Sequence, residues 1–289
     1  MGDVLAGLQA VWEFDTDSVL IRFERGIRTP RLLQALGERR IPYEALAAVE
    51  QAPGKRGTVV LRAVPRPGAD PLMDVAGGQL KEACDPYRLV LPAERDALAE
   101  YYADEMRDAL GPYASEPADR HLVAAPAPPM SFKAYDGKAS FDGASVAFRW
   151  FWTGASSAKW KAGDQRFAVG DLAGVEWRSP EIAGGYLRLL RRDAARPGEA
   201  DQDPAAVVFG MGYGLVHESL PFAAAVLAAA RAKTPSGSPL APLPGPSHTG
   251  RPDPGGIADR IRHLGALHDA GLLTDDEFSA KKAQLLAEL

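Results

Sequence analysis

The chain has 289 residues, a length that usually corresponds to about two domains. Its 33 basic and 38 acidic side chains give a formal net charge of −5, so the chain as a whole is not a polyanion-binding protein. Because Cys84 is its one cysteine, the sequence excludes an intramolecular disulfide and a cysteine-cluster zinc site.

The N-terminal segment has no basic region and no long apolar run, so we expect no secretory signal. The longest apolar stretch, Leu220–Ala230, is too short to cross a bilayer, which needs about 20 residues. Together with the single thiol, these features predict a cytoplasmic protein.

Two proline-rich stretches divide the sequence into three pieces. Residues 111–133 contain five prolines, and Pro, Gly and Ser make up 15 of the 24 residues in 233–256. Such a composition buries too little apolar area to offset chain entropy, so we predict a linker at each place. The remaining pieces are residues 1–110, 134–232 and 257–289.

The first two pieces look like copies of one another. A motif of the form Phe-Asp-x-x-Ser-Val-x-x-Arg occupies Phe14–Arg22 and returns at Phe141–Arg149. Similarly, Leu46–Glu50 has a counterpart at Leu172–Glu176. Since the matches keep their order and spacing, a tandem duplication explains them better than chance.

Each copy is predicted to be a small antiparallel sheet closed by a C-terminal helix. Apolar residues alternate over Ser18–Glu24, Thr58–Val64 and Tyr87–Leu91, which is the period of half-buried strands. They then recur every four positions over Ala93–Leu110, which predicts an amphipathic helix. The matching helix is Ser219–Ala232, with its first residue as N-cap. Its outer face is so rich in alanine that we expect something to cover it.

Aromatic residues cluster after the repeated motif of the second copy. Val146, Phe148, Trp150 and Trp152 keep a period of two, so both tryptophans are predicted to face the core. Phe151 points the other way and is predicted to be exposed. The alternative is an aromatic platform of the kind that binds single-stranded nucleic acid.

Residues 257–289 predict a helical hairpin. Gly271 can end the first helix because glycine tolerates positive φ, and Thr274–Glu277 form a capping box for the second. A hairpin of this size rarely folds alone, so its apolar faces should pack on another copy, on a partner or on the main body, and we favour self-association. The residues predicted to carry oligomerisation are Ile257, Ile261, Leu264, Leu267, Phe278, Leu285 and Leu289.

Charge is unevenly distributed in the first copy. Residues 20–66 hold ten basic and four acidic side chains, whereas residues 67–119 hold four basic and twelve acidic ones. A basic sheet edge could bind phosphate groups through paired guanidinium bonds, so anionic lipid headgroups are the first expected ligand and nucleic acid the second. The alternative is a solvated sheet face that pairs with the domain's own acidic half, residues 67–119. The candidate anion-binding residues are Arg22, Arg39, Arg40, Lys55 and Arg56.

No residue pattern indicates catalysis, a metal site or a cofactor. His263 and His268 are five positions apart and so do not share a helix face. The glycines of 210–214 lack the spacing of a dinucleotide site, and Cys84 has no histidine near it in sequence. We therefore expect a protein that is not an enzyme, with no catalytic residue, metal or cofactor.

Two families resemble parts of the chain. The C-terminal segment resembles the SHOCT (short C-terminal) domain, on Asp269–Gly271, Leu273–Thr274, Glu277–Phe278 and Lys281–Lys282. This resemblance implies oligomerisation or attachment and brings no catalytic residues.

The two copies resemble the actinobacterial domain of unknown function 4429, which occurs in tandem ahead of SHOCT segments. The resemblance lies in Phe14–Val19, Arg39–Pro42, Leu46–Val49 and Gly54–Gly57. That family is similar to bacterial pleckstrin-homology-like (PH-like) domains, which implies a sheet closed by a helix. The second copy departs from it at Gln165–Ala168, where the arginine pair and proline are missing, so it is not expected to bind an anion in the same way.

The sequence thus predicts an α+β fold: two tandem PH-like antiparallel domains, each closed by a C-terminal helix, followed by a helical hairpin. The predicted function is a non-enzymatic scaffold or adaptor that forms a homo-oligomer, or docks on a protein partner, through the hairpin. The alternative is binding of anionic membrane headgroups through the basic face of the first domain, at the periphery of the membrane.

Overall fold

The computed structural model describes residues 3–193 and 198–233. The predicted hairpin of residues 257–289, and all of the predicted linker 233–256 except Lys233, lie outside the described residues.

The first repeat consists of two antiparallel sheets, a closing helix and two short helices. One sheet has the order β1-β2-β3-β4 and the other β5-β6-β7. The strands are β1 (Asp3–Ala6), β2 (Ala10–Phe14), β3 (Ser18–Phe23), β4 (Glu38–Pro42), β5 (Leu46–Pro53), β6 (Thr58–Pro65) and β7 (Arg88–Pro92). The helices are α1 (Arg31–Leu36), α2 (Pro71–Ala76) and α3 (Asp96–Asp108). Helix α3 packs on β5, β6 and β7 and so closes the second sheet.

The second repeat has the same topology. Its sheets have the orders β11-β10-β9-β8 and β12-β13-β14. The strands are β8 (Met130–Lys133), β9 (Gly137–Phe141), β10 (Ser145–Trp150), β11 (Gln165–Ala168), β12 (Leu172–Arg178), β13 (Tyr186–Arg191) and β14 (Ala206–Val208). The helices are α4 (Ser157–Ala162) and α5 (Val216–Ala232). The prediction of two antiparallel, sheet-rich domains in an α+β fold is therefore confirmed.

The predicted strands and the first closing helix agree with the structure to within a few residues. The N-cap prediction for the second closing helix is wrong, because α5 begins at Val216 and Ser219 lies inside its first turns. The Ser219 hydroxyl donates to the carbonyl oxygen of Gly214 at 2.8 Å and accepts from Trp177 Nε1 at 3.0 Å. Its side chain thus ties α5 to β12 instead of capping a helix.

Residues 111–129 connect the repeats without forming a free tether. Ala118 and Val123 are buried in the core of the first repeat. The amide of Ala118 donates to the carbonyl oxygen of Pro67 at 2.8 Å, and that of Val123 to Ala69 at 3.0 Å. Residues 130–133, which the sequence assigned to the linker, form β8.

The alanine-rich helix α5 is covered, as predicted, and it is the first repeat that covers it. Helix α5 packs against α1 and α2 as well as against β8 and β12 of its own repeat. Leu32, Leu72 and Val75 of the first repeat belong to the same hydrophobic cluster as Phe222 and Val226 of α5. Because one apolar core crosses the boundary, the two repeats form a single packed body.

Candidate functional site

Three of the five predicted anion-binding residues line one cleft. Arg22, Arg39 and Arg40 lie on one wall of an open cleft of about 820 Å³ between the repeats, and His217 and Glu218 at the start of α5 lie on another. The other two, Lys55 and Arg56, occupy the exposed turn between β5 and β6 and are not part of this cleft. The five residues therefore do not make one basic surface.

Arg39 belongs to a buried hydrogen-bonded network. Its Nη2 donates to Asp70 Oδ1 at 2.8 Å and its Nε to the Tyr87 hydroxyl at 3.1 Å, while Tyr87 donates to Asp70 Oδ2 at 2.6 Å. The Arg39 side chain is only 4% exposed. Burial, reinforced by the Asp70 carboxylate, raises the pKa of Tyr87 well above its ordinary value. The prediction that Arg39 meets an external anion does not hold, because its charge is already neutralised inside the fold.

Arg22 and Arg40 are exposed but paired. Arg22 forms ion pairs with Glu13 and Glu38, and Arg40 Nη1 lies 2.5 Å from Asp15 Oδ2. Both guanidinium groups are thus compensated by acids of β2, β4 and the β2–β3 turn, and the face is solvated as the alternative allowed. The partners do not come from the acidic residues 67–119 that the alternative named, whereas the partner of Arg39, Asp70, does.

The Arg40–Asp15 pair gives the aspartate of the repeated sequence motif a structural role. In the second repeat Arg166 makes the same contact with Asp142, at 2.8 Å. Asp142 also accepts from the amides of Ala144 and Ser145, and these backbone hydrogen bonds lower the pKa of its carboxyl group. The aspartate therefore shapes the hairpin turn and fastens the fourth strand, so this motif has a structural role.

The largest exposed aromatic side chains of the second repeat lie at one end of its sheet. Trp152 is 78% exposed and packs edge to face on Trp160, which is 49% exposed, with ring centroids 5.1 Å apart. The prediction that Trp152 faces the core is wrong, since β10 ends at Trp150 and the chain turns there. The turn is fixed by the amide of Phe151, which donates to the carbonyl oxygen of Asp136 at 2.9 Å.

A second aromatic pair flanks the same turn. Tyr135 and Tyr213 pack edge to face with centroids 6.5 Å apart, and Met211 beside them is 88% exposed. Gly154 lies against the turn so closely that a Cβ there would be 2.3 Å from the carbonyl oxygen of Tyr135. The loop that carries Trp152 is thus packed onto the β8–β9 turn, which carries Tyr135.

A buried ion pair supports this end of the repeat. Lys159 Nζ lies 2.5 Å from Asp136 Oδ2, and both side chains are buried. Asp136 Oδ1 also accepts from the amide of Val208 at 2.9 Å, and Lys159 lies over the Trp150 ring. Burial lowers the pKa of Lys159 and raises that of Asp136, and the attraction between the two charges opposes both shifts.

Basic side chains form a row on the outer face of the adjoining sheet. Lys133 lies directly opposite Lys138, and Lys138 directly opposite Arg149. Lys161 is also exposed, one residue after Trp160. Within the part of the chain that the structure describes, Arg149 pairs with Asp164 at 3.4 Å, and the three lysines have no ion pair.

Sequence reasoning missed this surface for two identifiable reasons. Lys133 lies in residues 111–133, whose five prolines predict a linker and obscure the alternation of apolar and polar residues over Met130–Lys133. The Thr153–Gly154 pair that follows Trp152 is a turn signal, and it could have shown that the alternation stops at Trp150.

Comparison with known families gives the domain identity. The family described as domain of unknown function (DUF4429) matches residues 12–107 and again residues 139–227, which together are more than half of the chain. The chain belongs to the DUF4429 family. The short C-terminal domain (SHOCT) matches residues 259–286, so the tandem arrangement expected from the sequence is confirmed. No curated protein matches the chain significantly.

The DUF4429 matches correspond to equivalent parts of the two repeats. The first runs from β2 into α3 and the second from β9 into α5. The outer strands β1 and β8 precede the matched regions, and β8 is the strand that carries Lys133.

The first DUF4429 repeat also has an acidic cleft of about 560 Å³. Its walls include Asp15, Asp17 and Glu105, together with Tyr43 and Tyr102. Burial, followed by these carboxylates, raises the pKa of Tyr43. The lining suits a cation better than an anion, which further separates the first repeat from the anion-binding role expected of it.

The described residues offer little reactive chemistry. Residues 3–193 and 198–233 contain no group of three or more His, Cys, Asp or Glu placed to hold a metal ion. Burial, together with Glu181, raises the pKa of the Cys84 thiol, which disfavours the thiolate. In the same ranges no helix is both long and apolar enough to cross a membrane.

Proposed function

We propose that this DUF4429 protein is a non-enzymatic scaffold or adaptor. In this proposal two PH-like domains present fixed surfaces in the cytoplasm, and the C-terminal hairpin joins copies of the chain or docks them on a protein partner. The proposed self-association residues are those of the two apolar hairpin faces: Ile257, Ile261, Leu264, Leu267, Phe278, Leu285 and Leu289.

The observation that carries the proposal is the burial of α5 between the repeats. A helix shared by two domains fixes their relative orientation, so surfaces on both repeats keep a constant spacing. A constant spacing between binding surfaces is what a scaffold needs, whereas an enzyme needs convergent reactive groups in a cleft. The SHOCT match at residues 259–286 supports a separate module for association.

Deletion of residues 257–289 tests the association step. Multi-angle light scattering should show an oligomer for the full chain and a monomer for the deletion variant. A point variant, Leu264→Asp/Leu285→Asp, should also be monomeric, because it places charges in the apolar faces. Lys281→Gln/Glu288→Gln is the matched control and should keep the oligomer mass. If the deletion variant keeps the same number of chains per particle as the full chain, oligomerisation through the hairpin is ruled out.

Support for anion binding by the first repeat is now restricted to Lys55 and Arg56. Both are exposed in the β5–β6 turn, and within the described residues neither forms an ion pair. Two adjacent cations on one turn make a weaker case for anion binding than five residues on one surface would.

A further inference from the structure

We propose that the aromatic end of the second repeat docks on an anionic lipid membrane. The aromatic end is defined by Trp152, Trp160, Tyr135 and Tyr213, and the lysine row beside it by Lys133 and Lys138. This role goes beyond the proposed scaffold function and does not depend on oligomerisation.

The aromatic side chains are held outward by the fold. Trp152 is 78% exposed, and its loop is fixed by the Phe151–Asp136 hydrogen bond and by the tight contact at Gly154. Helix α4, which carries Trp160, is anchored beneath by the buried Lys159–Asp136 pair. Tryptophan and tyrosine on a rigid support are suited to the membrane–water interface, where the ring is apolar and its N–H or O–H stays hydrated.

The lysine row supplies charge of the sign that an anionic membrane attracts. Lys133 and Lys138 face each other across β8 and β9, where like charges destabilise the sheet. Arg149 continues the row on β10. Arg149 is compensated by Asp164, but within the described residues no acid pairs with Lys133 or Lys138. The repulsion between these two lysines is explained if negative headgroups lie over them in the bound state.

The first repeat shows that the fold does not require this row. The equivalent register there pairs Ala6 with Val11 and Val11 with Arg22. The small and apolar residues of the first repeat thus occupy the places of Lys133 and Lys138, and Arg22 is neutralised by Glu13 and Glu38. The facing lysine pair is therefore a feature of the second repeat that the first repeat lacks.

A lipid surface fits these observations better than single-stranded nucleic acid. Bases stack on free, parallel ring faces, whereas Trp152 and Trp160 pack edge to face on each other. Met211, beside Tyr213 and 88% exposed, adds a flexible apolar side chain that cannot hydrogen-bond to a base but can insert into a lipid interface.

Vesicle co-sedimentation of the full chain tests the proposal. The protein should bind vesicles of phosphatidylcholine mixed with phosphatidylglycerol and not vesicles of phosphatidylcholine alone. Trp152→Ala/Trp160→Ala should weaken binding roughly tenfold, because it removes the interfacial rings. Lys133→Ala/Lys138→Val introduces the residues of the first repeat and should also weaken binding roughly tenfold, with a smaller dependence on salt.

The controls separate a folding defect and the scaffold role from the docking surface. Arg25→Gln/Arg28→Gln removes two exposed cations of the first repeat and should bind as the wild type does. The control and tryptophan variants should keep the wild-type thermal unfolding midpoint, and Lys133→Ala/Lys138→Val should keep or raise it, because it removes the repulsion between β8 and β9. Deletion of residues 257–289 should lower the avidity of the protein for vesicles by removing oligomerisation, and it leaves the docking surface of the second repeat in place. The tryptophan substitutions should therefore weaken vesicle binding in the deletion variant too. Equal binding by wild type and the tryptophan variant, no preference for phosphatidylglycerol, or displacement from vesicles by oligothymidylate would each overturn the proposal.

Discussion

Arg231, near the end of α5, donates from Nη2 to the carbonyl oxygen of Asp119 at 2.8 Å. The same guanidinium group also reaches the carbonyl oxygens of Gly68 and Ala118, both at 3.1 Å. The last helix of the second repeat is thereby fastened to two segments of the first. Conversely, Gln79 of the first repeat binds the backbone of the second. Its side-chain amide accepts from the Ser179 N–H at 2.9 Å and donates to the Trp177 carbonyl oxygen at 3.0 Å.

These contacts and the shared core predict that both repeats unfold in one transition. Arg231→Ala should lower the free energy of unfolding by about 1–2 kcal/mol, because three backbone oxygens lose a charged donor. Gln79→Ala should have an effect of similar size. Urea unfolding followed by circular dichroism and by tryptophan fluorescence should give coincident curves. Two separate transitions in the wild type would show that the repeats are independent, contrary to the packing of α5.

The buried pair beneath the aromatic end predicts a large effect of a single substitution. Lys159→Ala should lower the free energy of unfolding by about 3–5 kcal/mol, because it leaves the Asp136 carboxylate buried without its partner. The double variant Lys159→Met/Asp136→Asn should recover most of that loss, since it removes both charges and keeps an acceptor for the Val208 amide. A loss below about 1 kcal/mol for Lys159→Ala would mean that water reaches Asp136.

Neighbouring arginines on β4 should behave in opposite ways. Arg39→Ala should cost about 3 kcal/mol, because Asp70 and the Tyr87 hydroxyl would remain buried without a cationic donor. Arg40→Ala should leave the urea midpoint close to that of the wild type, since its pair with Asp15 is exposed to solvent. Arg166→Ala is the matched control in the second repeat. Equal losses for Arg39→Ala and Arg40→Ala would contradict the assigned burial.

Local patterns predicted those parts of the fold where one period continues without interruption. The alternation over Ser18–Glu24 correctly predicted β3, although Ser18 and Leu20 are buried as well as the alternating apolar residues. The four-residue period after Ala93 correctly predicted α3, which buries Tyr102 and Met106 on one face. The pattern failed at Trp152, where a turn ended the strand before the alternation of residue types ended. Composition also correctly indicated that α5 is covered, although only tertiary packing could show that the first repeat covers it.

The candidate sites were harder to predict than the fold. A count of arginines cannot distinguish Arg39, which is buried against Asp70, from Arg40, which is exposed, because the partner of Arg39 is 31 residues away. The lysine row depends on the register between β8 and β9, and the sequence placed Lys133 in a linker. Whether a charged side chain is free or paired therefore depends on the register between strands, and amino-acid composition gives no information on register.

The raised pKa of Tyr186 predicts that the folded protein loses stability at alkaline pH. Burial, together with its 2.5 Å hydrogen bond to Glu176, raises the pKa of Tyr186 to about 12, and an unfolded tyrosine titrates near 10. A raised folded-state pKa means that the stabilising contribution is complete below pH 10 and is lost as the pH rises toward 12. At pH 8, Tyr186→Phe should therefore be less stable than the wild type by about 1 kcal/mol, because Glu176 loses its donor. The difference in unfolding free energy should shrink between pH 10 and 12, since other groups titrate in both proteins alike.

Glu176→Gln is the companion variant and should reduce the pH dependence by removing the charge that opposes ionisation. A wild-type advantage that stays constant up to pH 12 would show that the Tyr186 hydroxyl titrates as a solvated phenol.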